Sequence, residues 1–94
     1  MIIQQKQKEN HGLFFIEEEG DVLAEMIYSM RQPDEMIIEH TEVDEQLRGK
    51  NVGFQLVSHA VEYARRHHYK ITPVCLFAKS VFDKKPDFAD VLAS

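Results

Sequence analysis

Up to Val43 the apolar residues fall in short runs bounded by turn residues, with every-second-position alternation in DVLAEMIYSMR, and beyond Val52 they recur at every third or fourth position. Alternation puts side chains on the two faces of a strand, whereas the longer spacing gathers them on one side of a helix. The first pattern predicts four strands: an edge strand in IIQQKQK, then GLFFIEEE, DVLAEMIYSMR, and MIIEHTEV from Met36 to Val43. In the third, Ala24, Met26, Tyr28 and Met30 alternate with Glu25, Ile27, Ser29 and Arg31. Gly20-Asp21 signals a tight hairpin turn, and QPDE, with Pro33 suited to its first corner, signals the next. The front half therefore reads as an antiparallel meander. Val52, Leu56, Val57, Ala60, Val61 and Ala64 then form an apolar stripe opposite Gln55, Ser58, Glu62, Arg65 and Arg66. That is an amphipathic helix of roughly four turns at ~3.6 residues each. RRHH, Arg65 to His68, closes it, with cations at the negative end of the helix dipole. YKITPVCLF, Tyr69 to Phe77, reads as a fifth strand. Because a helix precedes it, it is expected to lie parallel to the fourth strand through a right-handed crossover. The tail AKSVFDKKPDFADVL predicts a short helix ended near Pro86 and a helical turn in which Phe88 and Val91 or Leu92 pack down.

Composition bounds what such an α+β chain can be. With 94 residues, 44% of them hydrophobic, it can bury one modest core, so residues 1–94 are read as a single domain. The net charge of -5, from 16 acidic and 11 basic side chains, argues against nucleic acid as a partner, since neutralising phosphates needs a basic surface. A local basic patch can still hold one small anion. Cys75 is the single cysteine, which excludes an internal disulfide and fits a reducing compartment, with the cytoplasm as the default expectation. No apolar run approaches the ~18 residues of a membrane span, and no signal peptide is read at the start. A monomer or weak dimer is expected.

Two of the four glycines fall in LRGKNVGF, Leu47 to Phe54, between the fourth strand and the helix. A helix entered there presents unpaired N–H groups and the positive end of its dipole at one point, which suits an anion, phosphate above all. Gly49 permits backbone angles that other residues resist, and Asn51 tolerates the left-handed region. Gly53 lets a ligand or another backbone approach closely, and Arg48 and Lys50 add positive charge. A helix start with incidental glycines accounts for the same residues. Neither G-x-x-x-x-G-K-[ST] nor G-x-G-x-x-G is matched, so the familiar nucleotide loops are excluded.

The strand MIIEHTEV followed by LRGKNVGFQLV and a long helix resembles the acetyl-coenzyme A binding segment of the general-control-type N-acetyltransferases, the GNAT superfamily. On their pattern Q/R-x-x-G-x-G/A, Arg48 takes the first position and Gly53 the last, while Asn51 stands where a glycine is expected. With PVCLFAK and KPDFADVL, the resemblance runs from about Glu35 to Leu92 and points to the short, stand-alone GNAT-like subfamily. It implies a minimal GNAT-like fold with acetyl-CoA as cofactor. The backbone amides of Arg48, Gly49, Lys50, Asn51, Val52, Gly53 and Phe54 are then expected at the pyrophosphate. The pantetheine arm is expected along Thr41, Glu42 and Val43, where the fourth and fifth strands splay apart. Pro73 fits that splay because it lacks the N–H a ladder needs, although an edge position explains it equally.

Acetyl transfer to an amine needs a base for the ammonium, a donor to the thioester carbonyl and an acid for the leaving thiolate. Cys75 shares strand parity with Ile71, Pro73 and Phe77, and on its own reads equally as a small buried hydrophobe. The resemblance adds a cysteine in this C-x-F context near the acetyl end, as thiolate nucleophile or as acid. His40 shares a face of the fourth strand with Glu42, with Glu39 on the other, and has the intrinsic pKa of a base near neutrality. A histidine hydrogen-bonded beside the sheet is the alternative. Lys79, Lys84 and Lys85 are candidates to reach the adenosine phosphates, or are solvated surface lysines. His11, His59, His67 and His68 have no metal-ligand spacing, so no metal is expected. The expected function is an N-acetyltransferase acting on an unidentified amine of a small molecule or protein. A non-catalytic coenzyme A binding or regulatory module is the alternative, and a plain α+β interaction domain a third.

Overall fold

The computed structural model describes residues 1–93. Strands β1 (Gln4–Lys8), β2 (His11–Glu18), β3 (Asp21–Arg31) and β4 (Glu35–Val43) form the expected meander. Helix α1 (Val52–His67) returns the chain to β5 (Lys70–Pro73), which is followed by α2 (Leu76–Lys84). Short 3₁₀ segments lie at Glu45–Leu47 and Pro86–Val91. The sheet order is β1-β2-β3-β4-β5, antiparallel throughout except that β5 runs parallel to β4.

The apolar stripe of α1 is the one the spacing predicts: Val52, Leu56, Val57, Ala60, Val61 and Ala64 are all buried. They lie against the inner face of the sheet, built from Phe14, Ile16, Ala24, Met26, Tyr28, Met36 and Ile38. Removing each larger side chain from water contributes about 1.5–3 kcal/mol, and this layer is what holds helix to sheet. Strand β1 has no buried residue and is attached differently. The Tyr28 hydroxyl reaches under it, accepting from Gln5 Nε2 at 2.7 Å and donating to Gln7 Oε1 at 2.8 Å. Gly12 leaves the room, since a Cβ there would stand 2.5 Å from that hydroxyl.

Two departures from simple alternation shape the functional end. Tyr28 faces Ile38 and Ile27 faces His40, so Glu39 is an extra residue, a β-bulge in β4. The bulge shifts the parity of the strand: Thr41 and Val43 pair with buried Met26 and Ala24 on the helix side, while His40 and Glu42 join Ile27 and Glu25 on the open face. Glu39 also turns to the open face, where it accepts from Ser29 Oγ at 3.1 Å, not to the side opposite His40.

The second departure corrects the fifth strand, which ends at Pro73 rather than continuing to Phe77. After the proline, the amides of Val74 and Cys75 both donate to the Ile38 carbonyl at 3.0 Å, which turns the chain out of the ladder. Cys75 is the N-cap residue of α2, and Val74 and Leu76 are 61% and 82% exposed. The parity that linked Cys75 to Phe77 therefore does not exist. The buried set Ala78, Val81 and Phe82 has helical spacing, and that signal distinguishes α2 from a strand. Beyond Pro86, Phe88 and Val91 pack into the core as expected.

Candidate functional site

Because β5 stops at Pro73, the stretch Glu39–Val43 has no neighbour in the sheet on that side. A groove of about 340 Å³ lies there, between Thr41 and Val43 of β4, the loop Leu47–Asn51 and the first turn of α1. Asp44 shapes the loop by accepting from the Gln46 amide at 2.9 Å, and Leu47 anchors it in the core. Gly49 then takes φ +80°, left-handed backbone that glycine adopts without a steric penalty.

Asn51 decides the chemistry of the groove. It is the N-cap of α1, with φ 61° and ψ 30°, and its side chain makes no capping bond. An asparagine in the usual extended N-cap geometry would occupy the amide of the second or third helical residue. Here the first helical bond runs from Gln55 N–H to the Asn51 carbonyl at 3.1 Å, and the amides of Val52, Gly53 and Phe54 lie ahead of it without a carbonyl one turn back. They face a groove whose lining includes Arg48 and no carboxylate, in a chain of net charge -5. The rest of the wall is mostly apolar: Val43, Leu47, Val52, Phe54 and Phe77.

Phe77 was not a predicted groove residue, because its segment read as a strand. Its ring lies on Gly53, where a Cβ would stand 2.6 Å from Cζ. The close approach that this glycine allows is that of a side chain of α2, not another backbone.

Cys75 is not itself part of the groove lining but stands behind Thr41, which is. Its Sγ lies 3.4 Å from Thr41 Oγ1, a contact between residues 34 apart in sequence. Burial pushes the thiol pKa up, but the Thr41 side chain and the backbone of Ala78, Phe77 and Thr41 outweigh it and hold the thiol below its ordinary value. His40 is not brought to the groove. It stands on the open face of β4 with Nε2 3.3 Å from Glu42 Oε2, and its side chain is 57% exposed. The Glu42 and Lys50 side chains also lie outside the groove lining, whereas Arg48, Gly49, Asn51, Val52, Gly53 and Phe54 all line it. Among the described residues no three His, Cys, Asp or Glu side chains are grouped to hold a metal. Among the described residues no helix is long and apolar enough to cross a membrane.

Residues 13–91 match the family model described as GCN5-related N-acetyl-transferase. Among solved structures, a GCN5-like protein from Staphylococcus aureus is 37% identical, with 97% of this chain aligned to 88% of that one and a TM-score of 0.75. Glucosamine-6-phosphate N-acetyltransferase from Arabidopsis thaliana is 26% identical over 81% of this chain and 58% of its own, with a TM-score of 0.61. An IAA acetyltransferase from Bacillus cereus shares the fold at 22% identity, covering 80% and 53% of the two chains with a TM-score of 0.62. The chain thus spans little more than half the length of these last two enzymes. No curated protein matches it in sequence.

Proposed function

The chain belongs to the GCN5-related N-acetyl-transferase family, and on that premise we propose that it binds acetyl-coenzyme A and transfers the acetyl group to an amine. The observation that carries this reading is the helix start at Asn51, left without a side-chain cap above an acid-free groove. A pyrophosphate suits those three amides and the helix dipole, and the apolar wall suits a pantetheine arm running toward Thr41. Acetyl-coenzyme A supplies a thioester carbonyl already activated for attack.

Three groups of this chain serve the transfer in this reading. Cys75, lowered in pKa at the N-terminus of α2, attacks the thioester carbonyl as a thiolate, so that the acetyl group passes to its sulfur. Coenzyme A leaves as a thiolate that takes a proton from water. The free amine then attacks the acetyl-cysteine and the Cys75 thiolate leaves. Thr41 holds the sulfur in place. His40, hydrogen-bonded to Glu42 on the open sheet face, takes the proton from an ammonium arriving on that side.

Titration with acetyl-coenzyme A should shift the amide resonances of Gly49 to Phe54 more than any others, and an amine panel should then show turnover. Unperturbed loop amides would sink the reading. An acetyl-sized mass increase on Cys75 tests the nucleophile. Should Cys75→Ala transfer equally well, the thiol is not one. His40→Gln should lower kcat/KM for the amine and leave coenzyme affinity unchanged.

A second reading, a coenzyme A binding module without turnover, is favoured by one observation. Among the described residues no helix packs on the open face of the sheet around His40, so an acceptor there would meet only sheet side chains. Tight coenzyme binding with no turnover across the panel selects it.

A further inference from the structure

Phe54 forms one side of the groove, and one of its faces carries a cation: Lys85 Nζ lies 5.6 Å from the ring centroid. The ring is itself fixed, stacked against Phe88 at 6.0 Å, and Phe88 packs edge-on to Phe82 at 6.0 Å. Lys85 is half-buried at the junction of α2 and the following 3₁₀ turn, whereas Lys79 and Lys84 are exposed. Among the described residues, no carboxylate lies within ion-pair distance of Lys85. The structure thus holds an ammonium, through an attraction to a π face, beside a groove free of acids.

We propose that Lys85 binds the phosphate monoester on the ribose of coenzyme A and makes the site selective for the complete coenzyme over its dephospho form. The proposal rests on the cofactor reading above. Coenzyme A carries two kinds of phosphate, and the groove offers two kinds of partner. The pyrophosphate is matched by backbone amides, which are neutral and fixed in direction. The monoester carries more charge per phosphorus, close to two negative charges near neutral pH, and three acceptor oxygens. A lysine ammonium, a compact charge with three donors, answers that group. Arg48, the cation of the groove lining, caps the Glu45–Leu47 turn that leads into the loop. Two cations near one helix start match a ligand with charge beyond its pyrophosphate.

The experiment is calorimetric titration of the full chain with coenzyme A and with 3′-dephospho-coenzyme A. The native protein should prefer coenzyme A by about fivefold to tenfold, the scale of one charge-assisted contact near the surface. Lys85→Gln should abolish that preference by weakening coenzyme A alone, leaving dephospho-coenzyme A unchanged. Lys85→Arg should keep it, and so should Lys84→Gln, which removes the same charge one residue away. Equal affinity of the native protein for both ligands would overturn the proposal while leaving the cofactor reading intact. So would a preference that survives Lys85→Gln, or one that falls equally in Lys84→Gln. If the native protein binds neither ligand, the cofactor reading fails and this proposal fails with it.

Discussion

The chemistry of the groove turns on four side chains and one missing side chain. Cys75 is a free thiol whose ionisation is opposed by burial and favoured, on balance, by Thr41 and nearby backbone. Its alkylation rate against pH should therefore reach half its plateau below the midpoint of an unstructured cysteine peptide. Thr41→Val removes the hydroxyl that bonds the thiolate and should move that midpoint up. Asn51 occupies a left-handed position where its own Cβ costs energy. Asn51→Gly keeps the amides open and should bind acetyl-coenzyme A at least as well; a marked loss would show that the asparagine amide, not the backbone, is what matters. At Gly53 the constraint comes from outside the helix. Gly53→Ala brings a methyl group against the Phe77 ring and should weaken coenzyme binding, and Phe77→Leu in the same chain should restore part of it.

At the scale of elements, α1 is the part on which the rest is built. Its buried face covers the sheet, its first turn makes the groove, and its last turn holds the C-terminal segment. Leu56 is fully buried, so Leu56→Ala should lower the free energy of unfolding by about 2–5 kcal/mol, read from urea denaturation. The last turn works through Arg65, which donates to both Asp90 carboxylate oxygens at 2.8 Å, to Glu62 at 2.6 Å and to the Asp87 carbonyl at 2.7 Å. RRHH does more than complement a dipole, because one of its arginines ties the Pro86–Val91 turn to the helix. Arg65→Ala should speed amide exchange in residues 88–92 with little change in overall stability, because the pair is exposed to solvent and screened.

For the whole molecule, the sheet separates two environments. Its inner face carries the helices, the core and the groove, while its other face stays open and bears His40, Glu42, Glu25 and Glu39. The sheet also sets an acid limit on stability through His59 on α1. Burial, and then Arg66, hold this imidazole below the usual histidine range, and it packs edge-on to Phe14 at 5.2 Å. In the window just below about pH 6.5 the unfolded chain takes up this proton while the folded chain does not. The contribution of His59 is thus complete above that value and is lost as pH falls through the lowered folded value. Melting temperature followed down through this range should drop more steeply in the native protein than in His59→Gln.

The order and type of the elements were determined by the sequence, because period-two and period-three-to-four patterns record which side of each element meets the core. The left-handed positions at Gly49 and Asn51 were legible for the same reason: backbone preference is a property of the residue itself. The boundary between β5 and α2 was not, since four apolar residues after Pro73 fit either period until Ala78, Val81 and Phe82 are counted together. Tertiary structure alone decided the composition of the site. The bulge at Glu39 arises from pairing with β3, and it sends Thr41 to the groove and His40 to the open face. Cys75 meets Thr41 across 34 residues, and Phe77 closes on Gly53, because β5 ends early and α2 folds back over the start of α1. Periodicity along a chain describes its neighbours one turn or two residues away, whereas these contacts depend on how distant segments pair.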